Sequence, residues 1–244
     1  MVHKTRGIVL RTVKYGETSV ICTVFTELFG MQSYMVKGVR SGRSRVRKAS
    51  PLFPGALLDM VVYQQHNKNL QLIREYQPYV LYQTLHEDVV KNGVALFAIE
   101  VTTQLLAAQD PQPELFSFLE QYLLAADQAP APQVANYPLY FLIQAGKLSG
   151  YYISGSYQPE TPFADIHEGR FGTAPGHYPP FIEGREAALM SLLNQASSFE
   201  SVIAVKMTGA ERKKMLQYFI GFLQLHIPHF RELRTLQILT AILY

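Results

Sequence analysis

Residues 5–37 read TRGIVLRTVKYGETSVICTVFTELFGMQSYMVK, and this stretch decides the fold. Residues 5–13 are rich in β-branched side chains and lack a helix cap, which predicts a strand. Lys14-Tyr15-Gly16-Glu17 is a turn signal. Residues 18–26 alternate as a second strand, with Val20, Cys22 and Val24 on one face and Ile21, Thr23 and Phe25 on the other. Glu27 to Gly30 turns the chain again, and residues 31–37 make a third strand. Downstream, 56–65 (ALLDMVVYQQ) and Leu70 to Tyr76 read as a fourth and a fifth strand around a polar turn. Five short strands with no helix between them predict a small closed antiparallel barrel. The five-stranded OB-fold is the economical choice, and its surface and loops commonly take single-stranded nucleic acid. An SH3-like barrel fits the same strand pattern.

The stretch ends in a second signal. Residues 37–48, KGVRSGRSRVRK, hold Lys37, Arg40, Arg43, Arg45, Arg47 and Lys48 with no acidic residue. On composition alone such a run is a solvated loop. Arg and Lys also grip phosphate, and the glycines let main-chain N–H groups approach it. The charge distribution favours phosphate. Residues 1–50 carry ten Lys and Arg against two Glu, for +8, while residues 51–244 sum to −5. A basic front end on a near-neutral chain is the footprint of a nucleic-acid binder. Arg6, Arg11 and Lys14 are secondary phosphate candidates, and Tyr15 and Tyr34 are the aromatics placed to stack on bases.

From about Thr84 the period changes to that of helices. Residues 84–108 predict a long amphipathic helix or two joined near Gly93. A second runs from Pro113 to about Asp127, and APAP at 129–132 reads as a linker. Further helices are expected at 134–149, 184–195, 209–226 and 230–243. Residues 150–183, rich in Gly, Pro and Tyr, form an irregular insert in which short ribbons at 163–166 and 170–171 are expected. The expected architecture is therefore multi-domain α+β: a barrel domain over 1–80 and an all-α domain over 81–244.

Composition narrows the chemistry. No apolar run reaches membrane-spanning length and no signal core opens the chain, so no membrane role and a cytoplasmic location are expected. The single cysteine, Cys22, rules out an internal disulfide and a multi-cysteine metal site, and its strand pattern predicts a buried, inert thiol. There is no GxxxxGK[ST] loop, GxGxxG, GxSxG or HExxH, and carboxylates are scattered, so no catalytic residue, cofactor or metal is assigned. His226 and His229 flank Pro228, which breaks the helix that would align them on a metal; a helix-end or core role is expected. His167 and His177 lack partners at metal-ligand spacing. Arg212, Lys213 and Lys214 read as a solvated face, or else as a second basic contact.

The order of these signals resembles the bacterial RecO family of recombination mediators. The resemblance is carried by RGIVLRTVKYGETSVICTVFTELFG, with its G-E-x-S turn at Gly16, Glu17 and Ser19 and its hairpin at Thr26 and Gly30. It continues through MVKGVRSGRS, where Val39 replaces the family's alanine, the PLFP stretch at 51–54, and LQLIREY. It covers roughly residues 6–80, and LRTLQILTAIL is similar to the family's last helix. The resemblance implies a non-enzymatic protein that binds single- and double-stranded DNA and anneals complementary strands. It implies action with RecR to load RecA, indirectly, onto strands coated by SSB, whose acidic C-terminal tail the helical domain binds. Many members hold zinc in the insert through four cysteines. With no cysteine after Cys22, this chain is expected to have a zinc-free insert. An RNA-binding OB protein and an interaction scaffold without direct DNA binding are the alternatives.

Overall fold

The computed structural model describes residues 1–37, 52–65, 68–106 and 110–243. These divide into two compact units, one of Met1–Gln83 with Leu106–Leu124 and one of Thr84–Leu105 with Ala125–Tyr244.

The first unit is built on five strands: β1 (Val2–Tyr15), β2 (Ser19–Thr26), β3 (Gly30–Val36), β4 (Leu57–Tyr63) and β5 (Leu70–Pro78). They close in the order β1-β2-β3-β5-β4. All pairings are antiparallel except β3 with β5. This is the five-stranded OB barrel that the alternation predicts. Its interior is filled by Val9, Val20, Cys22, Val24, Val36, Leu58, Met60 and Val62, with Tyr34 among them. Gly7 faces inward, where a Cβ would stand 2.6 Å from the Val24 side chain and 2.8 Å from the Met60 sulfur. Closure at that point therefore requires glycine.

The segment Leu106–Leu124 belongs to the barrel unit, beyond the boundary expected near residue 80. It carries most of helix α2 (Pro113–Gln128), whose preceding helix in the chain is α1 (Val89–Leu105). Phe116 of α2 meets Phe25, an outward residue of β2, edge-on at 5.4 Å. Burying an aromatic ring in this way contributes about 1.5–3 kcal/mol. The β2–β3 turn is shaped for the same contact: Gly30 has φ +62°, and a Cβ there would collide with the Asp110 backbone. The Thr26 hydroxyl donates to the Gly30 carbonyl at 2.9 Å and accepts from the Phe29 N–H at 3.1 Å.

The second unit contains α1, α3 (Tyr137–Leu148), α4 (Gly184–Gln195), α5 (Phe199–Ala204), α6 (Gly209–His226) and α7 (Thr235–Leu243). Helix α1 starts at Val89, not near Thr84. Residues Thr84 and Leu85 instead donate their N–H groups to Asp127 Oδ1, each at 2.8 Å. The buried Lys91 ammonium is satisfied by Thr84 Oγ1 at 2.7 Å and the Asp127 carbonyl at 2.8 Å. The expected linker at 129–132 is partly a 3-10 turn, Ala131–Asn136. Helix α5 was not expected. Thr208 opens α6 with a capping box that Glu211 completes.

The insert is folded. Strands β6 (Phe163–Asp165), β7 (Arg170–Gly172) and β8 (Ile182–Glu183) form a small sheet in the order β7-β6-β8. Asp165 Oδ1 accepts the His167 N–H at 2.8 Å and turns the chain. His226 is bonded through Nε2 to the Ile166 carbonyl at 2.9 Å and stacks near Phe222, so it has the helix-end packing role. A four-cysteine zinc site does not fit this insert, since the chain's one cysteine lies in β2.

Candidate nucleic-acid interface

The candidate site lies at the end of the barrel where β1 turns into β2. Strand register fixes it. Lys14 pairs with Val20, and Val20 pairs with Val36 on β3. Lys37, the first residue of the basic run, therefore leaves the barrel beside the β1–β2 hairpin. The chain beyond residue 51 is held at the same end. The Thr12 hydroxyl donates to the Leu52 carbonyl at 2.6 Å, and the Gly55 N–H donates to the Val9 carbonyl at 2.7 Å. Lys37 and Leu52, the described residues that flank the run, thus both lie at the hairpin end of the barrel. Arg40, Arg43, Arg45, Arg47 and Lys48 lie outside the described residues.

Arg11, Lys14, Tyr15 and Lys37 are all exposed at this end. Arg11 stands opposite Thr23 on the outer surface, and Tyr15, 51% exposed, stands opposite Ser19 beside the tight turn at Gly16. No ion pair ties any of the three cations to a carboxylate among the described residues. The cluster is a positive surface with one ring available for stacking.

Two sequence candidates are not at this surface. Tyr34 is fully buried, because the β3 alternation that carries it also turns it into the barrel core. Burial pushes its hydroxyl up from the ordinary tyrosine range. It offers no face to a base. Arg6 lies at the opposite, helix-covered end and is already clamped. Its guanidinium donates to Glu27 Oε1 at 2.9 Å and to Glu120 Oε1 at 3.0 Å, and stands 5.6 Å from the Phe116 ring centre. The Tyr79 hydroxyl also donates to Glu120. The Glu27 bond raises the Arg6 guanidinium above its ordinary range, and the same bond lowers Glu27 below the usual carboxylate range. The partner Glu120 is 120 residues into the chain, so no local sequence signal reveals the clamp.

Cys22 is buried, and desolvation pushes its thiol up to about 11 against a lowering contact with Thr12. It is a packing residue in the protonated form. On α6, Arg212 donates to Asn136 Oδ1 at 2.7 Å and Lys214 pairs with Glu186, while Lys213 stays exposed. Among the described residues no group of three or more His, Cys, Asp or Glu is arranged to hold a metal ion.

The chain matches the model of the recombination protein O N-terminal domain over residues 1–82 and that of the C-terminal domain over residues 86–235. It belongs to the RecO family. Curated relatives span it end to end. It is 26% identical to the DNA repair protein RecO of Flavobacterium psychrophilum, over 98% of each chain. It is 28% identical to those of Phocaeicola vulgatus and Bacteroides fragilis, again over 98% of each chain. RecO membership makes this a DNA-repair protein; the five barrel strands lie within the first matched domain, and helices α1 to α6 within the second. No helix among the described residues is long and apolar enough to cross a membrane.

Proposed function

We infer that this RecO protein is a non-enzymatic mediator of repair and homologous recombination that binds single- and double-stranded DNA and anneals complementary strands. The observation that carries this reading is the convergence at one barrel end of Arg11, Lys14, Tyr15 and the described residues that flank the basic run, Lys37 and Leu52. Cations there screen phosphate repulsion between two strands without occupying the Watson–Crick edges, which is the physical requirement for annealing. Family membership supports a reading of the remaining contacts. RecR acts with the protein, the helical unit takes the acidic C-terminal tail of SSB, and RecA is loaded on the strand so cleared, in the bacterial cytoplasm at the nucleoid. Arg40, Arg43, Arg45, Arg47 and Lys48 extend the same phosphate contact.

A salt titration of fluorescent single-stranded DNA tests the reading. Binding is expected to weaken steeply with salt, and Arg11→Ala with Lys14→Ala to flatten the logarithmic slope by about 1.4, near 0.7 per contact. An unchanged slope removes both residues from the site. RNA of identical sequence as competitor separates a DNA protein from an RNA protein.

A further inference from the structure

Helices α6 and α7 are joined by a tight reversal, and one residue makes it. Ile227 is extended, with φ −105° and ψ 111°, and the ring of Pro228 fixes its own φ. His229 then has φ +76°, the one non-glycine in the left-handed region among the described residues. The Phe230 N–H closes the turn on the Ile227 carbonyl at 3.2 Å. This is the pattern of a type II turn, with proline second and a positive φ third, where glycine sits without strain. Histidine there is strained by its Cβ. Pro228 and His229 are exposed, while Ile227 and Phe230 on either side are buried. The joint is therefore two residues long.

Beyond the joint, residues 230–243 form an arm seated on α1. The Arg231 N–H donates to Gln104 Oε1, and the Arg234 N–H donates to Glu100 Oε1 at 3.0 Å. The Thr235 N–H and hydroxyl donate to Glu100 Oε2 at 2.9 and 2.6 Å. Glu100 thus satisfies the first N–H groups of α7 from a different helix. At the other end of the arm, Ile242 lies over Gly93, where a Cβ would stand 2.4 Å from Ile242 Cδ1 and 3.8 Å from Leu239 Cδ2. Leu239 is fully buried. Helix α7 therefore runs antiparallel to α1, with a carboxylate at one end of its seat and a glycine notch at the other.

We propose that residues 230–243 exchange between two copies of this chain, each arm leaving its own α1 and docking on α1 of the other copy through an opened Pro228–His229 joint. Exchange keeps every contact of the seat, because the arm that arrives is identical to the arm that leaves. Each chain gives up one bond, from Phe230 to Ile227, and His229 returns to the backbone region that residues with a Cβ prefer. A short joint under strain is the setting in which swapping competes with closure. The occupant is a second copy because the carboxylate, the notch and the spacing between them match Thr235 and Ile242 of this sequence. The exchange stands on the helical unit alone and is independent of the DNA-binding reading.

The test uses the full-length protein without DNA. Mass is measured by light scattering after equilibration at about 1 and about 200 µM, since mass action sets the dimer fraction. A dimer is expected at the higher concentration. His229→Gly removes the strain of the closed turn and is expected to raise the dimer dissociation constant about tenfold or more, because two joints are relieved at once. His229→Val strains the closed turn further and is expected to lower that constant. Connectivity is read by mixing Gln104→Cys with Arg231→Cys, each on its own chain. A disulfide between the chains is expected, because these positions adjoin when one arm lies on the other α1. Lys213→Cys in place of Gln104→Cys, at an exposed position on α6, is the control and should not cross-link. Circular dichroism melts check folding, and His229→Gly decides alone if His229→Val does not fold. A wild-type monomer at both concentrations overturns the exchange. So does a dimer whose dissociation constant His229→Gly leaves unchanged, or equal cross-linking by Gln104→Cys and Lys213→Cys.

Discussion

Arg6 and Arg11 lie on the same strand, five residues apart, and meet opposite fates. At the helix-covered end Arg6 is held by Glu27 and Glu120 beside Phe116. At the hairpin end Arg11 faces solvent opposite Thr23. The difference is made by α2, which brings an aromatic ring and a carboxylate to one half of the barrel surface and leaves the other half open. A cation is available to phosphate only where the protein has not already supplied its counter-charge. One barrel thereby carries a clamped end and an open cationic end, separated by half a strand.

The comparison breaks most severely if the covered end is emptied. Phe25→Ala removes the ring that packs on Phe116, and a loss of about 3–5 kcal/mol in chemical denaturation is expected. Folded Phe25→Ala protein should still bind oligonucleotide, since the hairpin cations are untouched. Next in size, Arg6→Ala should cost about 1–2 kcal/mol of stability and leave DNA affinity and its salt slope unchanged, because the pair with the largely buried Glu120 is cut while the Glu27 side is exposed and screened. Arg11→Ala should do the reverse: thermal stability within about 0.5 kcal/mol of wild type, and weaker binding. If both arginines affected affinity equally, the division between the ends would fail.

A pH series sharpens the same contrast. Glu27 is held below the ordinary carboxylate range mainly by its bond from Arg6. Its contribution to stability is therefore present above the unfolded carboxylate value and is lost as pH falls through the lower folded value. In Glu27→Gln that acid-limb loss should be smaller in a denaturation series, and DNA binding at neutral pH should not move. The smallest expected effect is at Cys22. Its thiol, pushed up to about 11, should label slowly with a thiol reagent at neutral pH, at a rate set by unfolding and therefore slowed further by any ligand of the folded protein.

Much of this was legible in the chain. The alternation in residues 5–37 placed β1, β2 and β3 within a few residues of their observed limits, and helices at 184–195 and 209–226 coincide with α4 and α6. Arg11, Lys14, Tyr15 and Lys37 were legible as surface candidates, because turn signals and charge mark exposure directly. Tyr34 was misread because its alternation with apolar residues does not say which face is inward; the strand period that leaves Ser33 and Met35 half-buried turns Tyr34 into the core. Arg6 was misread because a cation's partner can lie anywhere in the chain. Helix α5 was missed: six residues are too few to show a period.

The sequence by itself determined the barrel, the helices that follow it and the positive front end, since periodicity, turn residues and charge are properties of neighbours along the chain. Only the tertiary structure decided which cations are spent on carboxylates and which remain open. Those are facts about partners brought together by barrel closure and by α2, at separations in sequence over which no local pattern carries information.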